Sequence, residues 1–225
     1  MCDTKYTLLV DSSLDPSPVR PVLVWAEGVT VDPTSESSDV LAGPLQRVAT
    51  CGEEAVPAEV RQRVRRMLRF GKYKPSGRSK PASEFLLRAA LSDEFPRING
   101  PVDVNNAISL ESGFPASVFD ADLSGSALRL RRGLPGETYV FNPSGQEIDL
   151  QDLLLVCDAD GAPCGNPVKD AMRTKTHEGT RNVVAVLYAP GDEPASEVRR
   201  WGERFAELLR DHCGAERCGV VGPAA

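Results

Sequence analysis

Apolar residues recur along this chain at two spacings, and those spacings divide it into elements. Apolar runs over 6–10 and 19–25, separated by Asp15-Pro16-Ser17-Pro18, predict two strands joined by a turn. The polar and small residues over 32–39 predict a loop. Pro57 then opens a helix to about residue 70, in which Val60, Val64, Met67 and Leu68 return at helical spacing and arginines fill the other side, with Gly71 as its end. A second helix starts near Ser79 or Pro81 and runs to Leu91, with Phe85, Leu86, Ala89 and Ala90 inward and Glu84 in its first turn. A third starts at Pro101, whose fixed φ suits the first helical position, and ends at Gly113, which suits a left-handed cap. Beyond it, residues 118–120, 127–130, 138–141, 153–157 and 183–188 read as strands cut by glycine turns. Residues 194–212 form an amphipathic helix with Val198, Trp201, Phe205, Leu208 and Leu209 inward, and 218–221 a last strand. The pattern predicts an α+β fold, with helices packed on a largely antiparallel or mixed sheet.

Composition bounds the rest. With 225 residues, 41% of them apolar, the chain is expected to form one domain over 1–225, carrying an N-terminal extension over 1–56 and the C-terminal helix. No run approaches the roughly 18 apolar residues of a membrane span, and the N-terminus has no signal-peptide pattern, so a cytoplasmic protein without a membrane partner is expected. A monomer is favoured. Six cysteines in a chain of this length do not make a disulfide framework, and Cys213 and Cys218 beside His212 lack a second pair. With no G-x-x-x-x-G-K, H-E-x-x-H or paired C-x-x-C, neither a cofactor nor a metal is expected.

The net charge of −6 is unevenly spread. Residues 61–80 hold nine Lys or Arg and no Asp or Glu, leaving 17 basic against 32 acidic side chains elsewhere. A cationic strip on an acidic body attracts a phosphate backbone locally. Arg61, Arg65, Arg66, Arg69, Lys72, Lys74, Arg78 and Lys80 are therefore the expected RNA-contacting residues, against the plainer reading of a solvated helix face and a basic loop.

The segment 95–122 packs amides, carboxylates and turn glycines together with one basic residue, Arg97. Its run of Asn99, Val102-Asp103, Asn105-Asn106, Gly113, Pro115 and Phe119-Asp120 resembles the core of the B3/B4 editing domain of the phenylalanyl-tRNA synthetase beta subunit, a family that includes free-standing members. The likeness extends over about 66–188. It implies a trans-editing deacylase: a metal-independent hydrolase whose partner is a mischarged aminoacyl-tRNA and whose reaction is hydrolysis of the aminoacyl ester. Asn105 stands where the synthetases usually carry threonine, Ser117 where they carry histidine, and residues near Val186 are apolar where they usually carry glutamate. The resemblance therefore implies a different amino-acid preference, and positioning in place of a histidine base.

An aminoacyl ester is already reactive, so such a site has to place the ester and hold a water in line. Asn105, Asn106 and Ser117 are the expected catalytic residues, since amides offer donors and an acceptor without a charge to desolvate. Asn99, Asp103, Thr174 and Thr176 are expected to line the substrate pocket. Glu111, Asp120, Asp158 and Asp170 are candidates to pair with the α-ammonium or a cationic side chain. Each carboxylate also has a local account as a cap or strand end. Two other classes remain open: a non-catalytic tRNA- or RNA-binding module, and a small-molecule hydrolase or binding protein using the same pocket.

Overall fold

The continuous apolar run over 183–188 sets the centre of the molecule, because a strand without alternation needs cover on both faces. A computed structural model describes residues 5–14, 17–32 and 39–222, which leaves Asp15-Pro16 and most of the expected loop over 32–39 outside the described residues. The strands are β1 (Thr7–Val10), β2 (Val19–Glu27), β3 (Ala116–Asp120), β4 (Ala127–Arg132), β5 (Thr138–Val140), β6 (Glu147–Asp149), β7 (Leu154–Cys157), β8 (Pro163–Gly165), β9 (Asn182–Pro190) and β10 (Arg217–Val221). The helices are α1 (Ala42–Cys51), α2 (Ala58–Leu68), α3 (Ala82–Leu91), α4 (Gly100–Ser112), α5 (Ala121–Ser124) and α6 (Ala195–Cys213).

The fold is α+β. Its strands form two four-stranded sheets and a separate β5–β6 ribbon. One sheet is antiparallel throughout, in the order β10-β2-β9-β3, with Trp25 opposite Val184 and Val118 opposite Ala185. The other, β1-β4-β7-β8, is mixed, since β1 runs parallel to β4. Helix α6 lays Val198, Phe205, Leu208 and Leu209 on β2 and β10, where Gly202 lets the backbone approach. A Cβ at Gly202 would stand 2.7 Å from Val22.

Helix α4 is the inner helix, packed by α6, α3, α1 and β3, and nearly all of it is buried. Its polar Asp103, Asn105, Asn106 and Ser109 are buried along with its apolar residues. Its ends follow the predicted cap chemistry. Asn99 accepts from the Val102 amide at 3.1 Å, and Gly113 takes the left-handed conformation at φ 77°. Asn99→Ala is expected to cost about 1 kcal/mol as a lost N-cap, read as a lower urea midpoint at unchanged slope.

Five elements differ from their sequence reading. Helix α2 stops at Leu68, because Arg69 turns extended and Phe70 bridges Tyr73 across Gly71, whose φ is +50°. Helix α1 and strand β8 were not anticipated, nor were α5 and β6. The first has no side-chain cap bond at Leu41, and the second is three residues between a proline and a glycine.

Candidate functional site

Four segments distant in sequence converge on a cleft of about 210 Å³. Helix α4 and its cap supply Asn99, Val102, Asn105 and Asn106, strand β3 supplies Ala116 and Val118, and the segment after β8 supplies Asn166, Val168, Lys169 and Asp170. Lys175 and Thr176 complete the wall, with Ile98 and Ala82 beside them.

The amides sit deep. Asn105 and Asn106 are 6% and 7% exposed. Asn105 donates to the Ala116 carbonyl at 3.3 Å, which leaves its own buried carbonyl oxygen without a hydrogen-bond partner. No hydrogen bond within the described residues occupies the Asn106 side chain, which faces the cleft with its donors and acceptor unused. An enclosed polar atom left unpaired, as the Asn105 oxygen is, is costly, whereas the Asn106 amide reaches the open cleft. Asn99 spans two elements: besides capping α4 it donates to Thr176 Oγ1 at 3.1 Å, tying the cleft wall to the helix start.

Among the described residues Asp170 is the one carboxylate lining the cleft. Part of the residue surface remains on the wall, but the carboxyl group is enclosed, and burial pushes its pKa up to about 7. The Ser117 hydroxyl, donating to Oδ1 at 2.6 Å, opposes that rise, as do the Lys175 charge and the backbone amides of Val118 and Asn166. Ser117 is fully buried and does not itself line the cleft. It accepts in turn from the Tyr188 hydroxyl at 3.1 Å, a phenol held protonated by burial. The chain Tyr188, Ser117, Asp170 therefore runs from the core to the cleft wall. Gly165 makes room for it: a Cβ there would stand 2.2 Å from Asp170 Oδ1 and 2.7 Å from Phe119.

Other sequence candidates lie elsewhere. Asp120 caps α5 and accepts from Thr180 Oγ1 at 2.5 Å, with His177 Nε2 at 3.3 Å. Glu111 faces Arg204 at 3.5 Å, and Asp158 closes the turn before β8 through the Asp160 and Ala162 amides and binds Arg173 at 2.8 Å. Thr174 is buried and donates to the Cys164 carbonyl. Asp103 accepts from the Ile98 amide at 3.0 Å. None of these five lines the cleft.

The cationic strip is partly neutralised. Arg61 pairs with Glu53 at 3.0 Å, Arg63 with Asp192 and Glu193, and Arg65 with Glu84 through both carboxylate oxygens. Arg66, Arg69, Lys72, Lys74 and Arg78 are exposed without a salt bridge among the described residues, and Lys80 is half-buried and likewise unbridged. Sequence reasoning missed Asn166, Lys169 and Lys175. The first hides in an ordinary turn motif, its Oδ1 accepting from the Val168 and Lys169 amides at 2.8 and 3.0 Å.

The B3/4 domain family model matches residues 70–213, and the chain belongs to that family. It is 33% identical over 104 residues to a phenylalanine-tRNA ligase beta subunit of Neisseria meningitidis serogroup A, a match covering 45% of this chain and 13% of that one. The corresponding subunit of Bartonella quintana is 34% identical over 88 residues, 39% of this chain and 11% of that one. The curated relatives are thus far longer than the part matched here. Among solved structures, an N-terminal fragment of the phenylalanyl-tRNA synthetase beta subunit from Pyrococcus horikoshii superposes with a TM-score of 0.54 at 13% identity, over 96% of this chain and 50% of the fragment. That likeness is one of fold. No helix among the described residues is long and apolar enough to cross a membrane.

Proposed function

We propose that this chain hydrolyses the ester of a mischarged aminoacyl-tRNA in trans, as a single editing unit acting in the cytoplasm. The observation that carries the reading is the idle amide of Asn106, set beside the unpartnered Asn105 oxygen and the Asp170 carboxyl in one cleft of a B3/4 chain. The ester brings its own reactivity, so catalysis by position is sufficient. Asn106 donates toward the oxygen on which charge develops, and Asn105, fixed by its bond to the Ala116 carbonyl, shapes the wall against which the attacking water is placed. Asp170, once deprotonated, pairs with the α-ammonium of the misloaded amino acid. Ser117 acts through Asp170 as a positioning residue, since its donated bond favours the carboxylate form.

Histidine has no place in this scheme: His177 lies outside the cleft against Asp120, and its Nδ1 accepts from the Gly179 amide. The exposed cations from Arg66 to Arg78 extend the surface on which the tRNA body is drawn in. The test is decay of the acyl bond across a panel of mischarged tRNAs. At least one should be cleared faster than in buffer. Salt-sensitive tRNA binding with no loss of acyl group from any member would leave a non-catalytic RNA-binding module, and binding of no tRNA at low salt would favour a small-molecule site.

A further inference from the structure

At the mouth of the cleft two ammonium groups are anchored on one aromatic residue. Lys169 Nζ lies 3.6 Å from the Phe141 ring centroid, and Lys175 Nζ donates to the Phe141 carbonyl at 2.7 Å. The Lys169 backbone is fixed on both sides, its amide bonded to Asn166 Oδ1 and its carbonyl to the Tyr139 hydroxyl. Arg78, exposed on the turn at Gly77–Ser79, adds a third charge: burial first, and then the Arg78 and Lys175 charges, lower the Lys169 pKa. None of the three makes a salt bridge among the described residues, unlike Arg61, Arg63 and Arg65 on α2. Three like charges against the single carboxyl of Asp170 leave the opening cationic, which favours an arriving anion. Lys175 is exposed while Asn105 and Asn106 are buried, so the charges stand outside the amides.

We infer that Lys169 and Lys175, anchored on Phe141 with Arg78 beside them, form a phosphodiester clamp that takes the phosphate adjoining the acylated terminal nucleoside. The inference rests on the deacylase reading for its ligand. It assigns the phosphate contact nearest the ester to the cleft mouth, and leaves the α2 face to the more distant body of the RNA.

The experiment compares kcat/KM on a mischarged tRNA with kcat/KM on the same amino acid esterified to free adenosine, which has no phosphate. In the Lys169→Gln/Lys175→Gln variant the ratio of the two should fall about tenfold, the scale of one charge-assisted bond lost. Arg78→Gln, at an exposed position, should lower it in the same direction. A ratio unmoved in both variants overturns the clamp while leaving the deacylase reading intact. Binding of the uncharged trinucleotide CpCpA separates the two readings further. If wild-type protein cleaves no ester yet binds CpCpA with a salt slope that drops by about 0.7 per phosphate contact in the double variant, the clamp stands and the deacylase reading falls. If CpCpA binding keeps its full slope in the variant, the clamp falls.

Discussion

Asn106→Ala is expected to slow deacylation by about 10² to 10³-fold, the usual cost of removing one donor aimed at developing charge. Its stability should stay within about 0.5 kcal/mol of wild type, because the side chain makes no hydrogen bond in the fold and alanine is the better helix former. Most buried asparagines fail that second condition. Asn99, a cap and cross-link, would lose stability as well as activity. Single-turnover rates and urea melts on the same two preparations, wild type and Asn106→Ala, check both halves. A large rate loss with an unchanged midpoint marks a group held ready for a ligand, whereas a parallel fall in both marks a structural one.

Asp170→Asn should raise KM by about 10 to 100-fold, as expected for loss of a charge-assisted contact of 1.5–3 kcal/mol, with a smaller change in kcat. In the wild type, KM should fall as pH rises through about 7, where the enclosed carboxyl loses its proton, and Asp170→Asn should lose that inflexion. Stability runs in the opposite direction. A carboxyl whose folded pKa is raised from 3.8 to about 7 favours the fold most below 3.8, and that contribution is lost as pH rises through about 7. Wild type should therefore be less stable at pH 8 than at pH 4 through this group, by at most about 4 kcal/mol, and the asparagine variant should lack that slope. Ser117→Ala removes a bond that favours the carboxylate, so it should move the inflexion upward without abolishing it. Thermal melts and KM measured over the same pH series check the three variants together.

What the sequence made legible was what local chemistry decides. Asn99, Pro101 and Gly113 mark the two ends of α4 because capping and left-handed turns are properties of a few adjacent residues. The apolar runs of β2 and β9 and the stripe on α6 were equally plain. Division into two sheets was not, since the parallel pairing of Leu8 with Leu128 is decided by tertiary packing far along the chain. Helix α1 carries Gly43 and Pro44 in its first turn and no capping side chain, so its sequence gives no start signal.

The cleft divides the same way. The polar density of 95–122 pointed to Asn105 and Asn106, but neighbouring carboxylates are separated from them by the fold. Asp120 and Asp158 satisfy backbone amides at a helix start and a turn, and Glu111 turns toward Arg204. Asp170, read from sequence as one carboxylate among four, is distinguished only by enclosure, which no local pattern records. Lys169 and Lys175 lie six residues apart in a polar stretch and acquire meaning through Phe141, about thirty residues earlier.

The most direct measurement is a titration of the protein with a non-hydrolysable analogue, an amino acid joined by an amide to the 3′ position of adenosine, followed through side-chain amide resonances. The Asn105 and Asn106 signals should shift together and saturate with one affinity, and the Asp170 titration should fall below its starting value near 7 as the ammonium pairs with it. Saturation that leaves both amides unmoved, with shifts confined to the groove of Arg61, Arg65 and Phe85 between α2 and α3, would contradict the assignment of the ester to this cleft.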